Sequence, residues 1–164
     1  MNFLEKKIAN IKCIKGHYPF GIHRYFSKSF TYITMLRHPV ERVLSLYFIS
    51  SKAEWYQLQK NNTQTLYVSG GNSPDFKKAK KNLRRFFTVV GITEMFDESL
   101  SLMKNKLNWN DISYLKVLLN KQRPAKEDLS PDILAKIKSK NELDFKLYYW
   151  ARQNLKEVIN NTLA

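Results

Sequence analysis

Residues 32–48 read YITMLRHPVERVLSLYF. The apolar run is rich in β-branched and aromatic residues and stops at Arg37, which predicts a buried strand ending there. Pro39 suits the first turn of a helix, where its missing N–H costs nothing, and it pushes His38 toward an extended conformation. Val40, Val43, Leu44, Tyr47 and Phe48 then recur at the spacing of an amphipathic helix. Arg42 and Ser45 lie three apart on roughly the opposite side. The stretch is therefore a strand-to-helix junction with two arginines and a hydroxyl gathered around it.

Such a junction is suited to an anion. In open α/β sheets ligands sit outside the carboxyl ends of strands, and a helix N-terminus there offers free N–H groups and partial positive charge. Arg37, Arg42 and Ser45 would add two guanidinium forks and a hydroxyl around one phosphate. On residue types alone a plainer reading stands beside it: Arg37 ends a strand, Arg42 pairs with Glu41 or solvent, and Ser45 is a neutral surface residue.

Outward from the junction, FLEKKIANI at the start has amphipathic helical character, and IKCIKGHYPF reads as a strand running into a loop at Gly16. KNNTQTLYVSGGNSPD is punctuated by Asn, Ser, Gly and Pro and reads as a loop-rich connection. FKKAKKNLRRFF is a basic helix and FTVVGIT a short strand. MFDESLSLMKNKLNW returns to helical spacing. Ser130-Pro131-Asp132 marks a helix start, and the tail reads as one helix and then a longer one, with a break near Asn141. Strand–helix alternation with a helical C-terminal part favours an α/β fold, and 164 residues suggest one domain over 1–164.

Composition narrows the function classes. Hydrophobic residues make up 43% of the chain, enough for a core. Lys and Arg outnumber Asp and Glu 28 to 14. An excess of this size calls for an anionic partner: nucleic acid, a membrane surface, an anionic polysaccharide or a phosphate-rich cofactor. The run KKAKKNLRR fits one wall of an anionic-substrate groove and equally a solvated face. Phe86, Phe87, Tyr148, Tyr149 and Trp150 fall within apolar patterns and read as core. A single cysteine, Cys13, excludes an internal disulfide. The three histidines have no Cys or carboxylate cluster at ligand spacing, so no metal is expected. No apolar run approaches a membrane span and the N-terminus lacks a secretory pattern. The chain as given reads as soluble and cytoplasmic.

RHPVERVLSLYF resembles the 3′-phosphate-binding segment of sulfotransferases that use 3′-phosphoadenosine 5′-phosphosulfate (PAPS). The matching positions are Arg37, Pro39, Arg42, Ser45 and Tyr47. KGHYPFGIHRYF is similar to the Gly-His segment of the branch that sulfates polysaccharides, notably the uronyl and heparan 2-O-sulfotransferases. FTVVGITEMFDESLSLM, NNTQTLYVSGG and ELDFKLYYWA also look like parts of that branch. The resemblance implies a P-loop-NTPase-like sulfotransferase fold, a parallel sheet flanked by helices, and PAPS as co-substrate without a metal. It implies that Arg37 and Ser45, with Arg42 beside them, hold the nucleotide's 3′-phosphate. It also implies that His17 is the catalytic base, while His23 and His38 fall at the rim or touch substrate.

Family members begin with a strand, a Lys/Gly/Ser/Thr-rich phosphosulfate loop and a helix. MNFLEKKIANIKCIKGHY has lysines but no glycine or hydroxyl cluster. The expectation is a chain lacking the first βα unit, with exposed sheet edges, self-association or a partner chain, and weak transfer activity. The leading reading is sulfuryl transfer to a carbohydrate hydroxyl, the acceptor being anionic or neutral. Two others remain beside it. One is a non-catalytic nucleotide-binding remnant or subunit. The other is a basic nucleic-acid-binding module, disfavoured by the lack of a recognition motif.

Overall fold

The computed structural model describes residues 13–27, 29–45, 61–71, 73–115 and 125–163. The amphipathic segment at 3–11 and the positions of Tyr47 and Phe48 lie outside them. Two parallel strands form the sheet, β1 (Tyr32–Leu36) and β2 (Phe87–Ile92). The helices are α1 (Pro39–Ser45), α2 (Thr63–Ser69), α3 (Phe76–Phe86), α4 (Phe96–Leu107), α5 (Pro131–Lys140) and α6 (Glu142–Leu163). This is an α/β architecture with a helical C-terminal part.

The strands pair in register from Ile33 with Val89 to Leu36 with Ile92, and the register shifts between Tyr32 and Ile33. β2 is the more enclosed strand: Val89 and Ile92 are buried, and it meets α3, α4 and α6. β1 was expected to be buried throughout. Leu36 is buried, but Ile33 is 40% exposed, because β1 pairs with only one strand among the described residues. The main core joins Leu36, Val89 and Ile92 of the sheet to Leu83 of α3, Leu102 of α4 and Leu147 and Leu155 of α6. A second cluster packs Val40, Val43 and Leu44 of α1 against Ile137 of α5. Those three α1 residues are the described part of the predicted apolar stripe.

Two readings are corrected. Residues 13–15 form no strand. The segment read as a loop-rich connection contains α2, whose N-terminal N–H groups are satisfied from a distant helix. Asp144 of α6 accepts from Gln64 N–H at 3.1 Å and Thr65 N–H at 2.7 Å. The service is returned by Asn62, whose Oδ1 accepts from the Leu143 and Asp144 N–H groups at the start of α6. A seven-residue helix is too short to persist alone, and this mutual capping holds it. At its other end Gly70 adopts a left-handed φ of 64°. A side chain there would collide with the Phe20 carbonyl, so glycine lets the 17–20 loop dock on α2. Phe20 N–H donates to the Tyr67 carbonyl at 2.7 Å in that dock.

The basic helix forms as predicted, capped by Asp75, which accepts from Lys78 N–H at 2.9 Å. Its inner face is Ala79, Asn82 and Leu83. Asn82 is buried and donates to the Val68 carbonyl at 2.8 Å, which completes the C-terminal end of α2. Gly91 in β2 lies against Met35 and Ser99 with no room for a side chain. Through that gap the Ser99 hydroxyl accepts from Ile92 N–H at 2.9 Å and ties α4 to the strand end.

Candidate active site at the strand ends

β1 and β2 both run into the same end of the sheet, where the residues beyond each strand are bound together. Thr93 donates to the Leu36 carbonyl through its N–H at 2.8 Å and its hydroxyl at 3.2 Å. His38 N–H donates to Glu94 Oε1 at 3.0 Å. The Gln64 side chain accepts from Arg37 N–H at 2.8 Å and donates to the Arg37 carbonyl at 2.9 Å. Arg37 is thereby fixed at the mouth of the strands, where α/β sheets bind ligands. Its Nε is enclosed and has no hydrogen-bond partner among the described residues.

His38 packs edge-on against Phe145 and Tyr148, both at 5.3 Å between ring centroids. Its Nδ1 is likewise enclosed without a partner among the described residues. Burial lowers its pKa first, and Lys126 lowers it further, against the opposing pull of Glu94 and Glu41. Tyr148 is pushed up to about 12 by burial and by the charge and hydrogen bond of Glu94.

Arg42, on α1, is half-buried. Burial lowers its pKa, and the Asp144 carboxylate and Tyr67 counter that. Asp144 is pushed up by burial against the hydrogen bonds from Thr65 and Gln64 and the charge of Arg42. Arg42 is thus within electrostatic reach of the carboxylate that caps α2. The Ser45 hydroxyl donates to the Arg42 carbonyl at 2.7 Å, one turn back in its own helix.

His17 is exposed, with its ring centroid 6.5 Å from that of Tyr67. Helix α2 therefore connects the expected site residues: Gln64 holds Arg37, and Tyr67 lies beside His17 and within electrostatic reach of Arg42. Neither Gln64 nor Tyr67 was expected. Only the stop was signalled, by Gly70 after a short helical spacing; Asn62 makes no side-chain cap to the helix it precedes. His23 stands apart, at the opposite end of the sheet. Its N–H donates to the Tyr32 hydroxyl at 3.1 Å, and the same hydroxyl shares a hydrogen bond with its Nδ1 at 2.8 Å. Among the described residues no cluster of three or more His, Cys, Asp or Glu could hold a metal, and no helix is long and apolar enough to cross a membrane.

The family model for galactose-3-O-sulfotransferase matches residues 54–161. The match takes in Gln64, Tyr67, Gly91, Glu94, Asp144 and Tyr148, and starts beyond Ser45. No curated protein and no solved structure matches the chain.

Proposed function

The chain belongs to the galactose-3-O-sulfotransferase family, and on that premise we propose that it transfers a sulfuryl group from PAPS to a carbohydrate hydroxyl. The observation that carries the proposal is the placement of Arg37. It stands at the carboxyl end of a parallel strand, backbone-locked by Gln64, with an enclosed guanidinium nitrogen that no described residue satisfies. Buried donors without partners are uncommon, and an anionic oxygen of the nucleotide's 3′-phosphate is a fitting acceptor. Ser45 completes this contact by turning its hydroxyl from the Arg42 carbonyl to the phosphate. Arg42 supports the group from behind, through Asp144 and Tyr67. A P-loop-like sulfotransferase fold belongs to the same reading, supported by the parallel pairing of β1 and β2.

Sulfuryl transfer requires nucleophile, sulfur and leaving oxygen in line. A sugar hydroxyl is a weak nucleophile at neutral pH, and a histidine is the side chain suited to taking its proton. His17, solvent-facing beside Tyr67, takes that role. Membership of the galactose-3-O-sulfotransferase family favours a galactose hydroxyl as acceptor over a uronyl 2-hydroxyl.

The test is transfer of labelled sulfate from PAPS to galactosides and to uronate-containing polysaccharides, beside calorimetry with 3′-phosphoadenosine 5′-phosphate (PAP). Binding of PAP that depends on Arg37, with label on galactose, supports the reading. Absence of PAP binding overturns it.

A further inference from the structure

Six cations, Lys77, Lys78, Lys80, Lys81, Arg84 and Arg85, crowd helix α3, and residues 76–86 contain no acid. Two concavities open on them. A groove of about 380 Å³ is lined by Lys77, Lys80, Lys81, Arg84 and Arg85. A cleft of about 270 Å³ between α3 and the 20–24 loop is lined by His23, Arg24, Lys78, Lys81, Asn82 and Arg85, among others. Lys81 and Arg85 belong to both, one helical turn apart, so the two make one continuous cationic surface. Among the described residues no carboxylate pairs with any of these cations. Like charges so close repel one another, and a bound polyanion relieves that repulsion.

The cleft is remote from Arg37. Phe20 and His23 pack on Tyr32, at the beginning of β1, with ring centroids 5.2 and 5.6 Å away. Phe86 immediately precedes β2. Arg37 follows the far end of β1, a five-residue strand about 16 Å long. A ligand that reached both places would span several sugar units.

The rings at this surface are turned on one another. His23 is stacked between Phe30 at 4.2 Å and Phe86 at 5.9 Å. Phe20 packs on Phe86 at 5.0 Å and Phe87 at 5.8 Å. Lys80 and Arg84 lie over Trp150 at 5.4 and 5.6 Å. Single-stranded nucleic acid draws much of its affinity from open aromatic faces; Tyr25 and Phe30 are exposed beside the 20–24 loop, but the face of α3 itself offers charge.

We infer that the α3 surface is an exosite for an acidic oligosaccharide, one whose carboxylate or sulfate groups lie several residues from the hydroxyl that is sulfated. The inference rests on the carbohydrate reading above and specifies its substrate class. Lys81 and Arg85 grip the anionic groups at the junction of groove and cleft, and Arg24 closes the loop side.

The test uses the full chain and a fluorescent heparin-derived octasaccharide as probe, followed by polarisation at constant salt with saturating PAP. Lys81→Glu/Arg85→Glu is expected to weaken binding at least tenfold, with PAP affinity and melting temperature unchanged. Lys136→Glu/Lys138→Glu makes the same charge change on exposed positions of α5 and is expected to weaken it less than threefold. Equal losses in both variants, or tighter binding of a single-stranded DNA 12-mer than of the octasaccharide, would overturn the exosite. Loss of PAP binding in every protein, with octasaccharide binding still dependent on Lys81 and Arg85, would remove the transferase reading and leave the glycan site standing.

Discussion

Gln64 and Arg37 exchange two hydrogen bonds: the glutamine amide accepts from the arginine N–H at 2.8 Å and donates to its carbonyl at 2.9 Å. This is the pairing of a β-ladder made by a side chain, 27 residues away in sequence. It fixes where the strand stops and where the arginine side chain departs. Gln64→Leu removes both bonds at similar volume, and is expected to destabilise the fold by about 1–3 kcal/mol. PAP affinity should also fall several-fold, although Gln64 is not placed on the nucleotide. Denaturant unfolding and calorimetry read the two effects, and unchanged PAP affinity would show that Arg37 needs no such support.

Arg37→Ala should cost PAP binding about 1.5–3 kcal/mol, the worth of a charged hydrogen bond. Ser45→Ala should cost less, because the hydroxyl must first leave the Arg42 carbonyl. Titration of both variants with PAP checks the order, and a larger loss in Ser45→Ala would reverse the assignment of the main contact.

Arg42 and Asp144 should sense each other's charge. Arg42→Ala and Asp144→Ala should each destabilise the fold, Asp144→Ala the more, because its carboxylate is buried. Asp144→Ala also strands the Gln64 and Thr65 N–H groups. A double-mutant cycle in urea should give a coupling energy of the order of 1 kcal/mol or more. Additive losses would mean that the two charges do not sense each other.

His17→Ala should lower the sulfuryl-transfer rate about 10²–10⁴-fold per bound complex. The melting temperature should hold, since the side chain is exposed. Single-turnover assays with PAPS separate the rate from nucleotide affinity. A preserved rate would move the base elsewhere at the strand ends.

His38 predicts a pH dependence. Its folded pKa is depressed by burial and by Lys126, below an unfolded value of about 6.5. Below that value the unfolded chain binds the extra proton, so stability rises with pH and levels off above about 6.5. Urea midpoints from pH 5 to 8 should show this slope, and His38→Gln should reduce it. An equal slope in the variant would assign the effect to other groups.

The elements that announced themselves were those whose signals are local. Pro39 after a β-branched run fixed the β1–α1 junction, Asp75 and Ser130 marked helix starts through their own side chains, and the cations of α3 fell on one side because Ala79, Asn82 and Leu83 took the other. Kinship with carbohydrate sulfotransferases was legible in short motifs, though the heparan and uronyl branch they suggested is not the family that matches. Helix α2 was not legible, because its first N–H groups are capped by Asp144, 79 and 80 residues on, and nothing near Thr63 records that partner. For the same reason the sequence could not show that Arg42 senses the buried Asp144. It could not show that His23 lies at the opposite end of the sheet from Arg37, or that Tyr67 connects His17 to Arg42. Periodicity determines which residues face inward along one element. Only packing between distant elements decides which side chains meet, because burial of charge and completion of hydrogen bonds are satisfied across the fold and not along the chain.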